Sequence, residues 1–249
     1  MSGIAGIYHK DGPPRSGRLG DEGVLSRLLD AQSHRGPDGR GIQATPPVAL
    51  GHLAMHTTPE AEQEEQPLHH REDGLLLTAD ARIDNRSELI SELDLESSRD
   101  RPVTDGALIL HAYRRWGTGC PEHLLGAFAF ALWDEQARRL FCARDHTGLR
   151  PFHYFWSEPH FVFASEINAL LAHPAVPHRI NDTRVADFLA RIHLNNEYTF
   201  YEDISRLPPG HCAVIDREGM HIHAYWKLTL PEERTLGSEE AYAEAFREV

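Results

Sequence analysis

Leu124-Leu125-Gly126-Ala127-Phe128-Ala129-Phe130-Ala131-Leu132-Trp133 carries no charged side chain, and its apolar residues do not alternate with polar ones. A strand with one wet face alternates, so this run reads as a strand covered on both faces. The next five residues, Asp134-Glu135-Gln136-Ala137-Arg138, turn the chain back into a second apolar run, Leu140–Arg144. A turn that short joins antiparallel neighbours, so the pair is a hairpin inside a layered domain.

The same pattern spreads outward. Residues 3–8, 48–56, 74–79, 151–156, 161–164, 211–216 and 220–226 read as strands, the last two joined at Glu218-Gly219. Val24, Leu25, Leu28, Leu29 and Gln32 fall at helical spacing within 21–33. Thr104 caps a helix running to Trp116 and closed by Gly117. Further helices are expected at about 165–172, 182–192 and 238–249. Asp11-Gly12-Pro13-Pro14 and His34–Gly39 read as turns, and 57–67 as a surface loop. The expected fold is α+β, with stacked, mainly antiparallel sheets flanked by helices. Residues 3–8 and 124–132 are expected in central strands.

Composition narrows the function. A chain of 249 residues can bury a sizeable core, and 41% hydrophobic with 25% charged residues is ordinary for a globular protein. The formal charge of −13 argues against a nucleic-acid partner. No apolar run approaches the roughly 20 residues of a membrane span, and no secretory leader opens the chain. No membrane partner is expected, and the expected location is cytoplasmic. Cys120, Cys142 and Cys212 are widely spaced, which fits neither a disulfide framework nor a zinc site, and Cys142 and Cys212 lie in core strands. His221 and His223 share one face of a strand but lack further ligands, so no metal is expected.

Chemistry is suggested at the start of the chain. Met1 precedes a small residue and is of the kind that is trimmed. Ser2 then carries both a hydroxyl and a free α-amine, which titrates near pH 8 and can serve as base for its own side chain.

Nine stretches in order carry a resemblance over about residues 2–228. They are Ser2-Gly3-Ile4-Ala5-Gly6-Ile7, His34-Arg35-Gly36-Pro37-Asp38-Gly39, Gly51-His52, Ile83-Asp84-Asn85-Arg86-Ser87-Glu88-Leu89 and Leu125-Gly126-Ala127-Phe128-Ala129-Phe130, followed by Ala143-Arg144-Asp145, Gly148-Leu149-Arg150-Pro151, Phe163-Ala164-Ser165-Glu166 and Arg206-Leu207-Pro208-Pro209-Gly210-His211. The chain resembles the class II glutamine amidotransferase domain of asparagine synthetase-like proteins. The resemblance implies the four-layer αββα fold of N-terminal-nucleophile hydrolases. It implies a domain over 1–228, with 229–249 a linker and the start of a helix leading into a C-terminal ATP-dependent synthetase domain. That domain would be the principal partner and would hold ATP and Mg. No cofactor is expected in residues 1–249, which lack the family's Ser-Gly-Gly-x-Asp-Ser phosphate loop. A second copy of the chain and a peptide substrate are further expected partners.

In the family a processed N-terminal Cys attacks the side-chain amide of glutamine. Ser2 stands in its place, and a hydroxyl is the poorer nucleophile. The family's Gly-His-x-Arg-Leu reads Gly51-His52-Leu53-Ala54-Met55, so Ala54 stands where a guanidinium would clamp the carboxylate. Its Asn-Gly-Glu-Ile-Tyr-Asn reads Asp80-Ala81-Arg82-Ile83-Asp84-Asn85. Asp80 replaces an oxyanion-hole donor with an acceptor, and Ala81 replaces a Gly that would matter if the site needs positive φ. Arg82 inverts the charge that meets the α-ammonium, and only Asp105 of the clamp is retained. Ser2, Asp80, Arg82 and Asp105 are expected around one cleft, with Arg82 paired to Asp80 or Asp105. These losses point to a degenerate glutaminase half of an amide-forming enzyme, with the peptide macrolactam cyclases of lasso-peptide pathways as one such group. Two alternatives stand beside it: a glutamine-hydrolysing half that uses Ser2, and a non-enzymatic module binding an acidic ligand near Arg82.

Overall fold

A computed structural model of the chain describes residues 1–10, 12, 20–95, 102–192, 197–229 and 235–247. The expected turn at 11–14 and the last two residues of the expected C-terminal helix therefore fall outside the described residues, Gly12 excepted.

Two six-stranded antiparallel sheets are stacked face to face. The first has the order β10 (Ile204–Arg206), β8 (His153–Ser157), β9 (His160–Ala164), β1 (Gly3–His9), β3 (Val48–Ala54), β2 (Gly39–Thr45). The second runs β12 (Met220–Ala224), β11 (His211–Ile215), β7 (Arg139–Arg144), β6 (Gly126–Asp134), β5 (Leu75–Ile83), β4 (Leu68–His70). Helices α1 (Asp21–Ala31) and α4 (Ile167–Leu171) pack on the first sheet, while α2 (Arg86–Glu92) and α3 (Asp105–Trp116) pack on the second. Helices α5 (Asp182–Leu189) and α6 (Glu239–Arg247) bury no residue of their own.

Alternation along the two central strands explains the layers, because successive side chains point to opposite faces. In β1, Ile4 and Tyr8 enter the core between the sheets, whereas Ala5 and Ile7 face Leu25, Leu28 and Leu29 of α1. In β6, Ala129, Ala131 and Trp133 join the core between the sheets. Phe128, Phe130 and Leu132 face Leu108, Ile109 and Ala112 of α3. Ala129 and Ala131 on the inner side of β6 let the sheets approach beside Trp133, and Phe128, Phe130 and Leu132 fill the space under α3. Gly6 serves the same approach: a Cβ there would lie 2.3 Å from Cε1 of Phe163 and 2.8 Å from Cδ2 of Leu50.

Helix α3 begins as its sequence dictates. The Thr104 hydroxyl accepts from the Ala107 N–H at 3.2 Å, and Gly117 at φ 58° ends the helix. The three cysteines are free and buried. Four elements depart from the sequence reading: β2, β4, β10 and α2 form where turn, loop or no element was expected.

Candidate functional site

Ser2 lies at the entrance to β1, one residue before the Gly3–Leu53 pair, which sets it beside Ala54. Its hydroxyl accepts from the Met55 N–H at 3.2 Å, and its carbonyl accepts from Nε of Arg35 at 3.1 Å. Arg35 reaches it from the turn after α1. Gly36 allows that turn to lie on β3, since a Cβ at residue 36 would come within 2.4 Å of the Leu53 backbone.

The other wall comes from β5, and its alternation divides the labour. Leu75, Leu77, Ala79, Ala81 and Ile83 face the helices. Leu76 and Thr78 face the first sheet, where the Thr78 hydroxyl donates to the Gly51 carbonyl at 3.0 Å. Asp80 follows in that row and is 2% exposed. Its carboxylate lies 3.6 Å from a terminal nitrogen of Arg35 and 3.5 Å from Nε of Arg150. Burial raises the Asp80 pKa, while Arg150, Arg35, the amino-terminal charge and the Ser2 backbone act in the opposite direction.

Ser2, His52, Ala54, Ala81, Arg82 and Asp105 line one cleft, whose free interior is about 30 Å³. A larger hollow of about 460 Å³ shares its His52, Ala54, His56, Glu64 and Gln66 wall. Asp80 does not line the cleft but lies beneath it, between its two guanidinium partners. Arg82 pairs with neither Asp80 nor Asp105, contrary to the sequence expectation. Its Nε and a terminal nitrogen donate to Asp84 at 2.8 and 3.0 Å. Asp80 is buried inside, whereas Asp84 lies at the exposed end of the same strand, so the long side chain meets it without desolvation. Asp105 instead pairs with Arg86, and burial lifts its pKa to about 6. Ala81 is not in the positive-φ region, so the loss of Gly there strains nothing.

Sequence reasoning missed several contributors. His52 is 5% exposed, its Nε2 has no hydrogen-bond partner, and burial holds its pKa down to about 4. Gln66 exchanges hydrogen bonds with the Ala79 backbone, and Glu64 accepts from the Gly106 N–H at 2.7 Å. Arg35 and Arg150 lie in the matched stretches quoted above. Both lie in turns between elements, where the sequence pattern gives no sign of a buried anionic partner. Among the described residues, no group of three or more His, Cys, Asp or Glu is arranged to hold a metal ion. No helix of the described residues is long and apolar enough to cross a membrane. His223 instead places Nε2 3.0 Å from Sγ of Cys212.

The family model for the glutamine amidotransferase domain matches residues 1–226. The chain belongs to this glutamine amidotransferase domain family. Its relatives include asparagine synthetase (glutamine-hydrolyzing) 3 of Bacillus subtilis, 30% identical over 82% of this chain and 34% of the relative. Amidase chry2 of Gibberella zeae is 28% identical over 100% of this chain and 38% of the relative. The chain thus spans between a third and a half of the length of the curated relatives it matches first. Among solved structures, the glutamine phosphoribosylpyrophosphate amidotransferase of B. subtilis superposes with a TM-score of 0.65 at 21% identity, over 90% of this chain and 49% of that one. At that identity the likeness concerns the fold, and the amidotransferase domain described here has the four layers of an N-terminal-nucleophile hydrolase.

Proposed function

We propose that this amidotransferase domain is the degenerate, non-hydrolysing half of an ATP-dependent amide-forming enzyme of the asparagine synthetase family. The observation that carries the reading is Asp80, a buried carboxylate held between Arg35 and Arg150 at the strand position where the family resemblance places an oxyanion donor. An ionised carboxylate accepts only and repels a developing oxyanion. The cleft adds support. Ala54 offers no cation to a substrate carboxylate, and Arg82 stands where the resemblance places the acid that meets the α-ammonium.

A synthetase that draws its amine from the substrate itself needs no ammonia, and a glutaminase half then survives as a scaffold. A peptide macrolactam cyclase, whose substrate supplies its own amine, fits that chemistry. The partner would be a C-terminal synthetase domain that binds ATP and Mg, as the greater length of the relatives suggests.

The test is ammonia release from glutamine by the purified chain, with loss of Met1 verified by intact mass. No turnover above background is expected, and Ser2→Cys alone should not restore it, because Ala54 and Arg82 still leave glutamine undocked. Losing one oxyanion donor costs about 10²–10³ in rate, so rescue requires the joint reversion Ser2→Cys, Ala54→Arg, Asp80→Asn, Ala81→Gly and Arg82→Glu. Measurable turnover by the unmodified chain would overturn the reading in favour of a Ser2 amidase.

A further inference from the structure

The hollow beside the Ser2 cleft has no part in the reading above. At about 460 Å³ it falls in the range of small-ligand sites, roughly 300–1,000 Å³. Strands β2 and β3 and the loop before β4 wall it. Ile42, Ala54 and Pro67 make its sides apolar, and Asp38, Glu62, Glu64 and Glu65 bring carboxylates to it. Asp38 accepts from the His56 N–H at 2.8 Å, and Glu64 from the Gly106 N–H at 2.7 Å and the Gln66 amide at 3.0 Å. Those donors are neutral and leave the negative charge in place. Arg40, the arginine on the wall, is committed to Asp30 at 2.5 Å and to the Ser26 carbonyl and hydroxyl at 2.9 and 2.7 Å. Among the described residues, none of these carboxylates has an ion-pair partner.

A charged rim by itself is only a solvated surface. The second observation lies inside it. His52 and Ala54 follow Val48 and Leu50 on the face of β3 turned toward the second sheet. His52 lines the hollow and is 5% exposed, and its Nε2 has neither a hydrogen bond nor an ion pair. A buried ring nitrogen without a partner carries a cost that a ligand removes. Burial keeps this imidazole neutral near pH 7, and a neutral ring presents one nitrogen as an acceptor. No three His, Cys, Asp or Glu among the described residues converge as metal ligands would. Carboxylates spread in that way suit an extended organic cation rather than a compact ion.

We propose that this hollow binds a primary alkylamine on an aliphatic stem, of which a lysine side chain is the type: the stem lies along Ile42, Ala54 and Pro67, and the ammonium donates to Nε2 of His52 inside the acidic rim. Each wall has its task. The apolar sides take the methylenes, the exposed carboxylates of Asp38, Glu62 and Glu65 attract the cation, and Glu64 and His52 hold it further in. Ala54 makes the site. The family resemblance places a guanidinium at residue 54, which would fill the space and supply the positive charge itself. A methyl leaves both the room and the negative charge to a ligand, so a wall that would hold an anion holds a cation instead. The inference stands apart from the degenerate-half reading, because these walls and charges are the same whether or not Ser2 turns over glutamine.

The experiment titrates the full chain, labelled with 15N-histidine, and follows the ring nitrogens in long-range 1H–15N spectra near pH 7.5. His52→Gln identifies the resonance by its loss. In the free chain the Nε2 signal should be that of a bare nitrogen. It should move saturably toward the hydrogen-bonded position with 1,5-diaminopentane and with Nα-acetyl-lysine methylamide. The uncharged 1,5-pentanediol, the anion glutarate and MgCl2 should each bind at least about tenfold more weakly. Glu62→Gln with Glu65→Gln, two exposed positions, should weaken amine binding roughly three- to tenfold, as expected for two solvent-exposed charges. Ala54→Arg, which places a guanidinium in the hollow, should abolish it. Tighter binding of the lysine amide assigns the site to a peptide lysine, and tighter binding of the diamine to a free polyamine; either supports the alkylamine. An Nε2 that already carries a proton, no saturable shift, an equal response to pentanediol, glutarate or MgCl2, or amine binding unchanged in the variants would each overturn the proposal. If Ala54→Arg does not fold, the paired rim variant decides.

Discussion

Acidification should destabilise the domain through His52, and the size of the loss follows from its burial. The imidazole sits on β3 at 5% exposure with a partnerless Nε2, and its pKa falls from 6.5 to about 4 because the cation would have to be buried; the nearby Ala79 backbone opposes the shift and His56 adds to it. Between those two values the unfolded chain binds a proton that the folded chain refuses. Stability from this group is therefore fully present above pH 6.5 and is lost as pH falls toward 4. A shift of that size corresponds to about 3 kcal/mol in total, of which about 2.5 kcal/mol is gone by pH 4.5. Asp105, raised to about 6 mainly by burial, contributes with the opposite sign, gaining stability as pH falls through about 6. The two slopes overlap in the unmodified protein, so the measurement must be a difference. Urea unfolding of the unmodified chain and of His52→Gln at pH 7.5, 6.5, 5.5 and 4.5 cancels Asp105 and every other shared group. The stability advantage of His52 over Gln should shrink by about 2.5 kcal/mol between pH 7.5 and 4.5. Parallel curves across that range would refute the assignment of His52 as a buried neutral imidazole.

Two substitutions test the scaffold that holds the cleft. Gly6→Ala forces a methyl to within 2.3 Å of the Phe163 ring between packed sheets, and thermal unfolding should show a loss of about 1–3 kcal/mol or more. Thr104→Ala removes the hydroxyl that caps α3 and should cost about 1 kcal/mol by urea unfolding at neutral pH, with the denaturant dependence unchanged.

The fold was legible where burial leaves a mark in one dimension. Strands β1 and β6 announce themselves because both faces are apolar, and α3 because a capping Thr and a terminating Gly bracket its periodic residues. Strand β2 gave no such signal: its residues are only partly buried, and it lies on a sheet edge where few side chains need be apolar. Strands β4 and β10 are three residues long and owe their existence to a neighbour's hydrogen bonds. The division of strands between two sheets was equally hidden, since a strand apolar on both sides does not say which side meets the partner sheet.

The site divides along the same line. Ser2, Ala54, Ala81, Arg82 and Asp105 line one cleft because the resemblance supplied their order and the two sheets bring β1, β3 and β5 together. The electrostatics were not legible, because charge pairing here is decided by depth. Asp80 on β5 and Asp84 just past its end are each two residues from Arg82, and on spacing alone they are equal partners. The chain resolves the choice by position along the strand. At residue 80 the side chain points between the sheets, where Arg35 and Arg150 already supply positive charge and a third guanidinium would have to be desolvated. At residue 84 the strand has ended, both groups are about half exposed, and the pair forms at little cost in solvation. Two aspartates four residues apart, one inside the strand and one just past its end, thus have opposite fates. The outer one ties up a basic residue at the mouth of the cleft. The inner one is held in the interior between Arg35 and Arg150, at the strand position where the family resemblance places an oxyanion donor.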